Sequence, residues 1–414
     1  MVAARLPESH RSRPGAPLND ACHPWRVFLI FLRLGLTSFG GPIAHLGYFR
    51  DEFVTRRRWL TEAGYADLVA LCQFLPGPAS SQVGMALGLS RAGYAGALAA
   101  WAGFTLPSAI LLILFAVGLA GHGDLLPVGA MHGLKVVAVA VVAQAVWGMG
   151  RKLCTDLPRV LLMAVAAGGV LLGPSAWAQV GVIAAAGVIG LLLLRPGAVA
   201  AVDILPVTIS RRAGACWLAL FFALLIGLPL AVHWLPGQPL AMVDAFYRSG
   251  ALVFGGGHVV LPLLQAEVVP SGWVGNQAFL AGYGAAQAVP GPLFTFAAFL
   301  GASMTVAPSG WLGGAICLLA IFLPSFLLLA GALPFWQSLR KNRRAQAALA
   351  GMNAAVVGVL LAALYHPVWT SAIFGWRDLA LALAALAALT WWKLPPWMVV
   401  LACALVGWLV LAPG

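Results

Sequence analysis

The 414-residue sequence predicts an all-α polytopic membrane protein with two homologous, inverted repeats that contain broken, re-entrant helix hairpins. Three observations predict this fold class: an apolar composition, a duplicated set of Gly/Pro segments, and a reversal of loop charge between the copies. Apolar residues make up 62% of the chain and charged residues 9%, whereas a soluble domain carries about 25% charged residues. The composition therefore excludes an ordinary soluble domain.

Three segments recur in the same order, which indicates an internal duplication. The first copy contains Phe39-Gly40-Gly41-Pro42, then Pro76-Gly77-Pro78, then Leu106-Pro107-Ser108. The second contains Phe254-Gly255-Gly256-Gly257, then Pro290-Gly291-Pro292, then Leu323-Pro324-Ser325. The copies are offset by about 215 residues at each segment. Helix-breaking segments at matching positions of two apolar halves are a sequence signature of transporters.

Loop charge differs between equivalent loops of the two copies. Four arginines lie within residues 50–58 of copy one, whereas the matching residues 264–277 contain no Lys or Arg. The loop after the Leu-Pro-Ser segment shows the opposite bias, because residues 121–124 lack Lys and Arg while residues 340–344 are strongly basic. Lys and Arg are retained in cytoplasmic loops. Copy two is therefore predicted to be inverted relative to copy one.

The apolar runs give one consistent threading across a membrane. Broken hairpins are predicted at 27–49, 63–90, 241–264 and 277–306. Full crossings are predicted at 93–120, 127–149, 157–173, 176–194, 213–233, 310–334 and 345–364, with two more within 367–412. This gives nine crossings, whereas hydropathy alone would count about 12 or 13 spans. The alternative is that some hairpins are tilted full spans.

The same threading sets the predicted domain boundaries. Residues 1–26 form a disordered cytoplasmic tail, residues 27–195 an N-terminal transporter repeat, and residues 241–414 a C-terminal repeat. Residues 196–240 form a linker whose single transmembrane helix inverts the second copy. The net charge of +12 lies mostly in loops, which favours a topology signal over nucleic-acid binding. The sequence contains no ATP-binding loop and no metal-ligand motif, so we expect no cofactor, no metal and no enzymatic activity.

Each Gly/Pro break begins a new half-helix inside the membrane. The unpaired N–H groups and the positive dipole at such a helix start favour an anion. Broken helices are tolerated at membrane depth only where they face protein or a wet cavity. The four breaks therefore favour an anionic substrate. The alternative is that Gly and Pro only permit close helix packing.

Two matching arginines, Arg33 and Arg248, lie within apolar segments just before the first break of each copy. A charge there is a functional candidate, since guanidinium groups bind oxyanions in bidentate fashion. Alternatively, each arginine reaches the interface or pairs with a carboxylate. Glu52 and Glu267 also match and are proton-coupling candidates, or they neutralise nearby arginines.

Five further polar residues are substrate-binding candidates. Gln73 and Gln287 precede the Pro-Gly-Pro segments and either donate hydrogen bonds to an oxyanion without adding charge or form interhelical hydrogen bonds. His45 and His258 follow the first breaks, where each is either a pH-sensitive group or a structural histidine. Lys135 lies inside an apolar span and is either a second cation for the substrate or part of an ion pair.

These motifs resemble the signatures of the chromate ion transporter family. The similar residues are Phe39-Gly-Gly-Pro-Ile-Ala-His45 with Leu75-Pro-Gly-Pro78, and Phe254-Gly-Gly-Gly-His-Val-Val-Leu-Pro262 with Gln287-Ala-Val-Pro-Gly-Pro-Leu-Phe-Thr-Phe296. The resemblance covers roughly residues 27–365 and implies the long, two-domain type with antiparallel halves. The family's motif residues carry over to Arg33, Phe39, Gly40, Gly41, Pro42, His45, Glu52, Gln73, Pro76, Gly77, Pro78, Arg248, Phe254, Gly255, Gly256, Gly257, His258, Pro262, Glu267, Gln287, Pro290, Gly291 and Pro292.

The resemblance implies a multi-pass protein of the bacterial inner membrane that exports chromate and confers chromate resistance, with sulfate as the competing analogue. We expect a secondary carrier driven by the membrane potential, with proton coupling as an option, a cytoplasmic N-terminus, and lipid as its surroundings. General base rates favour a homodimer. The alternatives are a carrier for uptake or exchange of sulfate or another oxyanion, a channel, and a membrane-embedded enzyme acting on lipid-linked phosphates.

Overall fold

The computed structural model describes residues 22–122, 127–173, 175–195, 209–254 and 257–410. The part so described is helical and contains no strand. Its α-helices are α1 Pro24–Thr37, α2 Gly41–Arg50, α3 Glu62–Phe74, α4 Ala79–His122, α5 Val128–Leu153, α6 Leu157–Leu172, α7 Ala176–Leu193, α8 Arg211–Trp234, α9 Gln238–Ala251, α10 Val260–Val268, α11 Asn276–Ala288, α12 Phe296–Ala302, α13 Gly310–Ala332, α14 Trp336–Lys341, α15 Arg343–Ala363, α16 Trp376–Thr390 and α17 Pro396–Val410. The predicted tail falls mainly on residues 1–21, outside the described ranges.

The predicted hairpins of copy one are confirmed as re-entrant, because their outer ends meet at one place. The Cys22 N–H donates a 3.1 Å hydrogen bond to the Arg91 carbonyl, at the end of the second hairpin. The Arg91 guanidinium lies over the Trp59 ring, 4.9 Å from its centroid. Arg50 at the end of α2 pairs with Glu62 at the start of α3 at 2.5 Å. The chain therefore enters and returns at the same end twice.

The second copy repeats this arrangement. The Thr305 N–H, after α12, donates a 2.9 Å hydrogen bond to the carbonyl of Trp273, which precedes α11. Near the end of α10, Glu267 contacts Arg248 of α9 at 2.9 Å, so these two helices also lie side by side. The hairpin predicted at 277–306 therefore returns to the end at which it begins, and the two helices of the hairpin predicted at 241–264 are in contact.

Two equivalent helices have the relative direction that the inversion predicted from loop charge requires. The backbone at Gly93 interrupts α4, so its second part is a separate crossing that corresponds to α13. The centroids of the Tyr94 and Phe326 rings are 6.2 Å apart, so the start of the second part of α4 lies near the end of α13. Ile113, further along α4, lies against Gly314 near the start of α13. Residue numbers along this contact increase in α4 while they decrease in α13, so the two helices run antiparallel.

The two copies also exchange their last helices. Helices α6 and α7 of copy one pack on α15 of copy two, and α16 and α17 of copy two pack on α5 of copy one. Small residues permit both contacts. A Cβ at Gly190 would lie 2.5 Å from the Ala347 carbonyl, and Gly133 lies directly against the Cys403 backbone. The last helices of each copy therefore pack against the other copy.

Six of the described helices are long and apolar enough to cross a membrane, namely α4, α5, α7, α8, α13 and α15. The other three expected crossings correspond to α6, α16 and α17, which have 16, 15 and 15 residues. At 1.5 Å per residue they span about 22–24 Å, less than the roughly 30 Å hydrocarbon core. Helix α8 alone connects the two copies in the described part, and Phe221 is the one apolar side chain of this helix that is buried.

Candidate functional site

The four helix breaks meet at one place in the molecule. The Gly77 N–H donates a 2.7 Å hydrogen bond to the Val253 carbonyl, and the Gly291 N–H donates a 3.0 Å hydrogen bond to the Ser38 carbonyl. Each bond joins the second break of one copy to the first break of the other. Both glycines have positive φ, 119° and 107°, a conformation that is readily accessible only to glycine. We call residues 38–41, 75–78, 252–254 with 257, and 289–292 the break cluster.

The centre of the break cluster lies where Pro42 faces Gly257, its equivalent in the other copy. A Cβ at Gly257 would be 3.4 Å from Pro42 Cγ and 4.0 Å from Leu293 Cβ. Short 3₁₀ turns at Gly257–Val259 and Leu293–Thr295 lead into α10 and α12. The helix starts of three breaks thus converge at this point. Free N–H groups and positive dipole ends at helix starts in general favour an anion.

The Leu-Pro-Ser segment of each copy lines the second break of the other copy. A Cβ at Gly291 would lie 2.7 Å from Ser108 Oγ, and Gly77 lies directly against Ser325 Oγ. Both serines are fully buried. The sequence shows these serines as part of the duplication, but it gives no sign that they reach the breaks.

Several buried side-chain oxygens in or beside the break cluster have no hydrogen-bond partner within the described ranges. They are Ser38 Oγ, Ser81 Oγ, Gln82 Oε1, Thr105 Oγ1 and Ser325 Oγ. An unsatisfied buried polar group costs about 1–3 kcal/mol. Hydroxyl groups both donate and accept, so this set can receive either water or an oxyanion.

Arg248 is buried in an ion-pair cluster instead of facing the break cluster as a free cation. Its Nη2 lies 3.2 Å from Asp244 Oδ2 and 2.9 Å from Glu267 Oε1. The guanidinium carbon is 4.4 Å from the centroid of the Trp177 ring, on α7 of the other copy. Of the alternatives given for the two matching arginines, pairing with a carboxylate therefore applies to Arg248. Asp244 was missed by the sequence analysis, although its spacing of four residues from Arg248 on one helix is a recognisable signal.

The matching Arg33 has a different environment. It lies exposed on α1, and no carboxylate of the described residues is within ion-pair distance. The position equivalent to Asp244 is Leu29, and Glu52 pairs instead with Arg57 at 2.8 Å and Arg56 at 3.5 Å. The two arginines are thus equivalent in sequence but not in surroundings.

The other predicted site residues lie in several different places. His45 is fully buried beside the Ser38 backbone, with the Phe104 ring edge-on at 5.2 Å. His258 Nδ1 lies 3.0 Å from the Tyr283 hydroxyl, within hydrogen-bond distance. In or beside the break cluster are Phe39, Gly40, Gly41, Pro42, Gln73, Pro76, Pro78, Phe254, Gln287, Pro290 and Pro292. Gly255 and Gly256 lie outside the described residues. Lys135 lines a separate cavity.

Comparison with known proteins gives a consistent result. The sequence model of the chromate transporter family matches residues 25–191 and 240–408, one match on each repeat. A chromate transport protein of Pseudomonas aeruginosa is 30% identical over 402 residues, covering 93% of this chain and 92% of the relative. One from Cupriavidus metallidurans is 26% identical over 392 residues and covers 92% of each.

A shorter relative matches about one repeat. An uncharacterized transporter of Bacillus subtilis is 31% identical over 175 residues, which is 94% of that protein but 40% of this chain. No solved structure matches this chain. The family match covers both repeats and most of the sequence, so the chain belongs to the chromate transporter family.

Proposed function

We propose that this protein is a secondary carrier that transports chromate, a tetrahedral oxyanion, through the break cluster. The pair of hydrogen bonds from Gly77 to Val253 and from Gly291 to Ser38 carries the proposal, because it unites the breaks of both copies in one site. The names of the relatives in Pseudomonas aeruginosa and Cupriavidus metallidurans support chromate as the substrate.

The chemistry of the break cluster suits a tetrahedral oxyanion. Helix-start N–H groups and hydroxyl groups donate hydrogen bonds, and the described cluster segments contain no carboxylate that would repel an anion. Of the matched arginines, the exposed Arg33 is the one available to attract substrate, one turn before the break on α1. We propose that Gln73 and Gln287 add amide donors at the rim.

Glu267 is the better proton-coupling candidate of the matched glutamates. It shares Arg248 with Asp244, so this buried cluster holds two carboxylates for one guanidinium. Glu52, by contrast, is neutralised by two arginines. Two buried carboxylates beside one cation leave a negative charge uncompensated, which is costly. Protonation of one carboxylate removes this cost, so the cluster readily takes up a proton.

We propose export from the cytoplasm across the bacterial inner membrane, with the N-terminus cytoplasmic and with chromate resistance as the consequence. Moving two negative charges out of an inside-negative cell gains about 2 × 2.3 kcal/mol per 100 mV. The predicted repeats at 27–195 and 241–414 are joined by the linker at 196–240. Because the break cluster links the repeats, we expect the exchanged helix sets α6–α7–α15 and α16–α17–α5 to move against it.

The test is chromate flux into inside-out membrane vesicles with an imposed potential, with sulfate as competitor. We expect potential-driven uptake that sulfate reduces and that Arg33→Gln abolishes. Arg26→Gln is the matched control, because Arg26 is exposed two turns earlier on the same face of α1. Equal flux in wild type and Arg33→Gln would remove Arg33 from the site.

The same assay separates the alternatives. Inward flux that requires a proton or sodium gradient would show that the protein takes up an oxyanion and does not export it. A conductance that does not saturate with chromate concentration would indicate a channel. Absence of chromate flux from folded protein would overturn the proposed substrate.

A further inference from the structure

A cavity of about 540 Å³ lies apart from the break cluster, between the starts of α5, α11 and α16 and the end of α17. Its lining includes Val128, His132 and Lys135 of copy one and Gln277, Trp376 and Asp378 of copy two. In the predicted threading all four helix ends lie on the side opposite the basic loop at 340–344. The cavity is therefore at the predicted outer mouth of the protein.

The charges in this cavity favour an anion. Asp378 already accepts three hydrogen bonds, from His132 Nε2 at 2.9 Å, from the Phe374 N–H at 2.9 Å and from the Gly375 N–H at 3.1 Å. Lys135 is only 8% exposed, and Asp378, which lines the same cavity and acts on its ammonium group electrostatically, lies beyond ion-pair distance. An ammonium group that is partly removed from water and that no carboxylate contacts directly favours a bound anion, so an anion that enters the cavity is stabilised there.

Lys135 also lies between the cavity and the break cluster. A Cβ at Gly284 would be 2.5 Å from the Leu134 carbonyl, so the two helices touch next to Lys135. Gln287 follows three residues later on α11, directly before the fourth break. Gln277 and Gln287 are about 15 Å apart along this helix at 1.5 Å per residue. One helix therefore connects the cavity to the break cluster.

We propose that this cavity is a second oxyanion site, a vestibule in which Lys135 receives a tetrahedral oxyanion between the break cluster and the outer aqueous phase. The inference rests on the proposed function, because the vestibule ligand is the transported class of anion. The position equivalent to Lys135 in copy two is Asn353. The equivalent position of copy two consequently lacks this cation.

Thiol labelling tests the vestibule without measuring transport. Val128 is 70% exposed at the cavity, so Val128→Cys provides a reporter in a background with Cys22, Cys154 and Cys216 replaced by serine. The protein is reconstituted in phosphatidylcholine vesicles and labelled with a membrane-impermeant maleimide. Sulfate is the probe, because chromate would itself oxidise the thiol. We expect sulfate to slow labelling of the reporter.

Substitutions of Lys135 make the test specific. Losing a charge-assisted hydrogen bond should raise the half-protecting sulfate concentration by about tenfold or more in Lys135→Met, whereas Lys135→Arg should retain protection. A variant that is labelled at the wild-type rate in the absence of sulfate is folded. If Lys135→Met does not fold, Lys135→Gln is used in its place.

Three outcomes would overturn the proposal: no protection by sulfate, protection that persists in Lys135→Met, or labelling governed by lipid. In vesicles containing phosphatidylglycerol, slow labelling that sulfate does not change would identify a lipid phosphate as the occupant. Chromate flux is measured on the same protein. Protection without flux would contradict the proposed function, and flux without protection would contradict only the vestibule.

Discussion

The backbone N–H of Gly77 donates a 2.7 Å hydrogen bond to the carbonyl of Val253, across the boundary between the two repeats. Its counterpart runs from Gly291 to Ser38 at 3.0 Å. In each case a glycine at positive φ in one copy satisfies a carbonyl that helix breakage in the other copy leaves free. Each repeat therefore completes the hydrogen bonding of a break in the other repeat.

Replacing either cluster glycine should impair folding and transport. In Gly77→Ala the added methyl group meets Ser325 Oγ and lies 2.8 Å from Gln82 Nε2, at a φ that L-residues rarely adopt. We expect a loss of about 1–3 kcal/mol from backbone strain, in addition to the steric clash. The measurement is the thermal unfolding midpoint in detergent, together with chromate flux. Gly47→Ala is the control, because its Cβ would meet no atom within 4 Å.

The two matched arginines should respond differently to removal of their charge. Arg248→Gln leaves Asp244 and Glu267 buried without their cation, which costs about 3–5 kcal/mol and lowers the yield of folded protein. Arg33→Gln, at an exposed position, should fold like wild type. Size-exclusion profiles of detergent extracts report both effects. Adding Asp244→Asn to Arg248→Gln should restore part of the folded yield; no recovery would show that the ion pairs do not cause the loss.

Removing one partner of a buried ion pair between the repeats should cost far more stability than removing one partner of an exposed pair. Asp67 of α3 accepts hydrogen bonds from Arg340 Nη1 at 2.5 Å and from Trp336 Nε1 at 3.0 Å. The Asp67 and Arg340 side chains are 6% and 10% exposed, whereas those of Glu62 and Arg50 are 61% and 52% exposed. Asp67→Ala should therefore lower the unfolding midpoint strongly.

Glu62→Ala is the matched control for Asp67→Ala, because the exposed pair that it removes is screened by water. We expect its unfolding midpoint to remain close to that of wild type. Equal midpoints for the two variants would contradict a stabilising role of the contact between α3 and α14.

Cysteine labelling in cells should reveal the inversion directly. Arg56 and Ser271 occupy equivalent, exposed positions after the first hairpin of each copy. In a background without Cys22, Cys154 and Cys216, a membrane-impermeant maleimide should label Ser271→Cys in intact cells and Arg56→Cys only after permeabilisation. Labelling of both in intact cells would refute the opposite orientation of the copies. The reverse pattern would keep the inversion but place the N-terminus outside.

The sequence predicts the breaks because glycine and proline act locally. The chain must leave the helix near Gly40 and Gly77 whatever surrounds it, and the loop arginines set orientation without any knowledge of packing. The predicted hairpins at 27–49 and 277–306 accordingly match α1 with α2 and α11 with α12 closely. Loop charge also predicts the antiparallel relation of the copies.

The burial of individual side chains and the identity of their partners could not be predicted in this way. Arg33 and Arg248 match in sequence, yet Leu29 on one helix and Asp244 on the other give them different surroundings. Ser108 and Ser325 reach the breaks only because each helix crosses into the other repeat. Lys135 lies in a cavity of its own because four helix ends from two copies converge around it.

The sequence by itself thus determined the duplication, the four breaks and the inversion of the second copy, since each depends on local backbone chemistry or on loop charge. Only the tertiary structure decided which break pairs with which, which arginine is neutralised and where the lysine lies. These features depend on side chains and carbonyls from elements far apart in the chain, and packing alone brings them within hydrogen-bond distance.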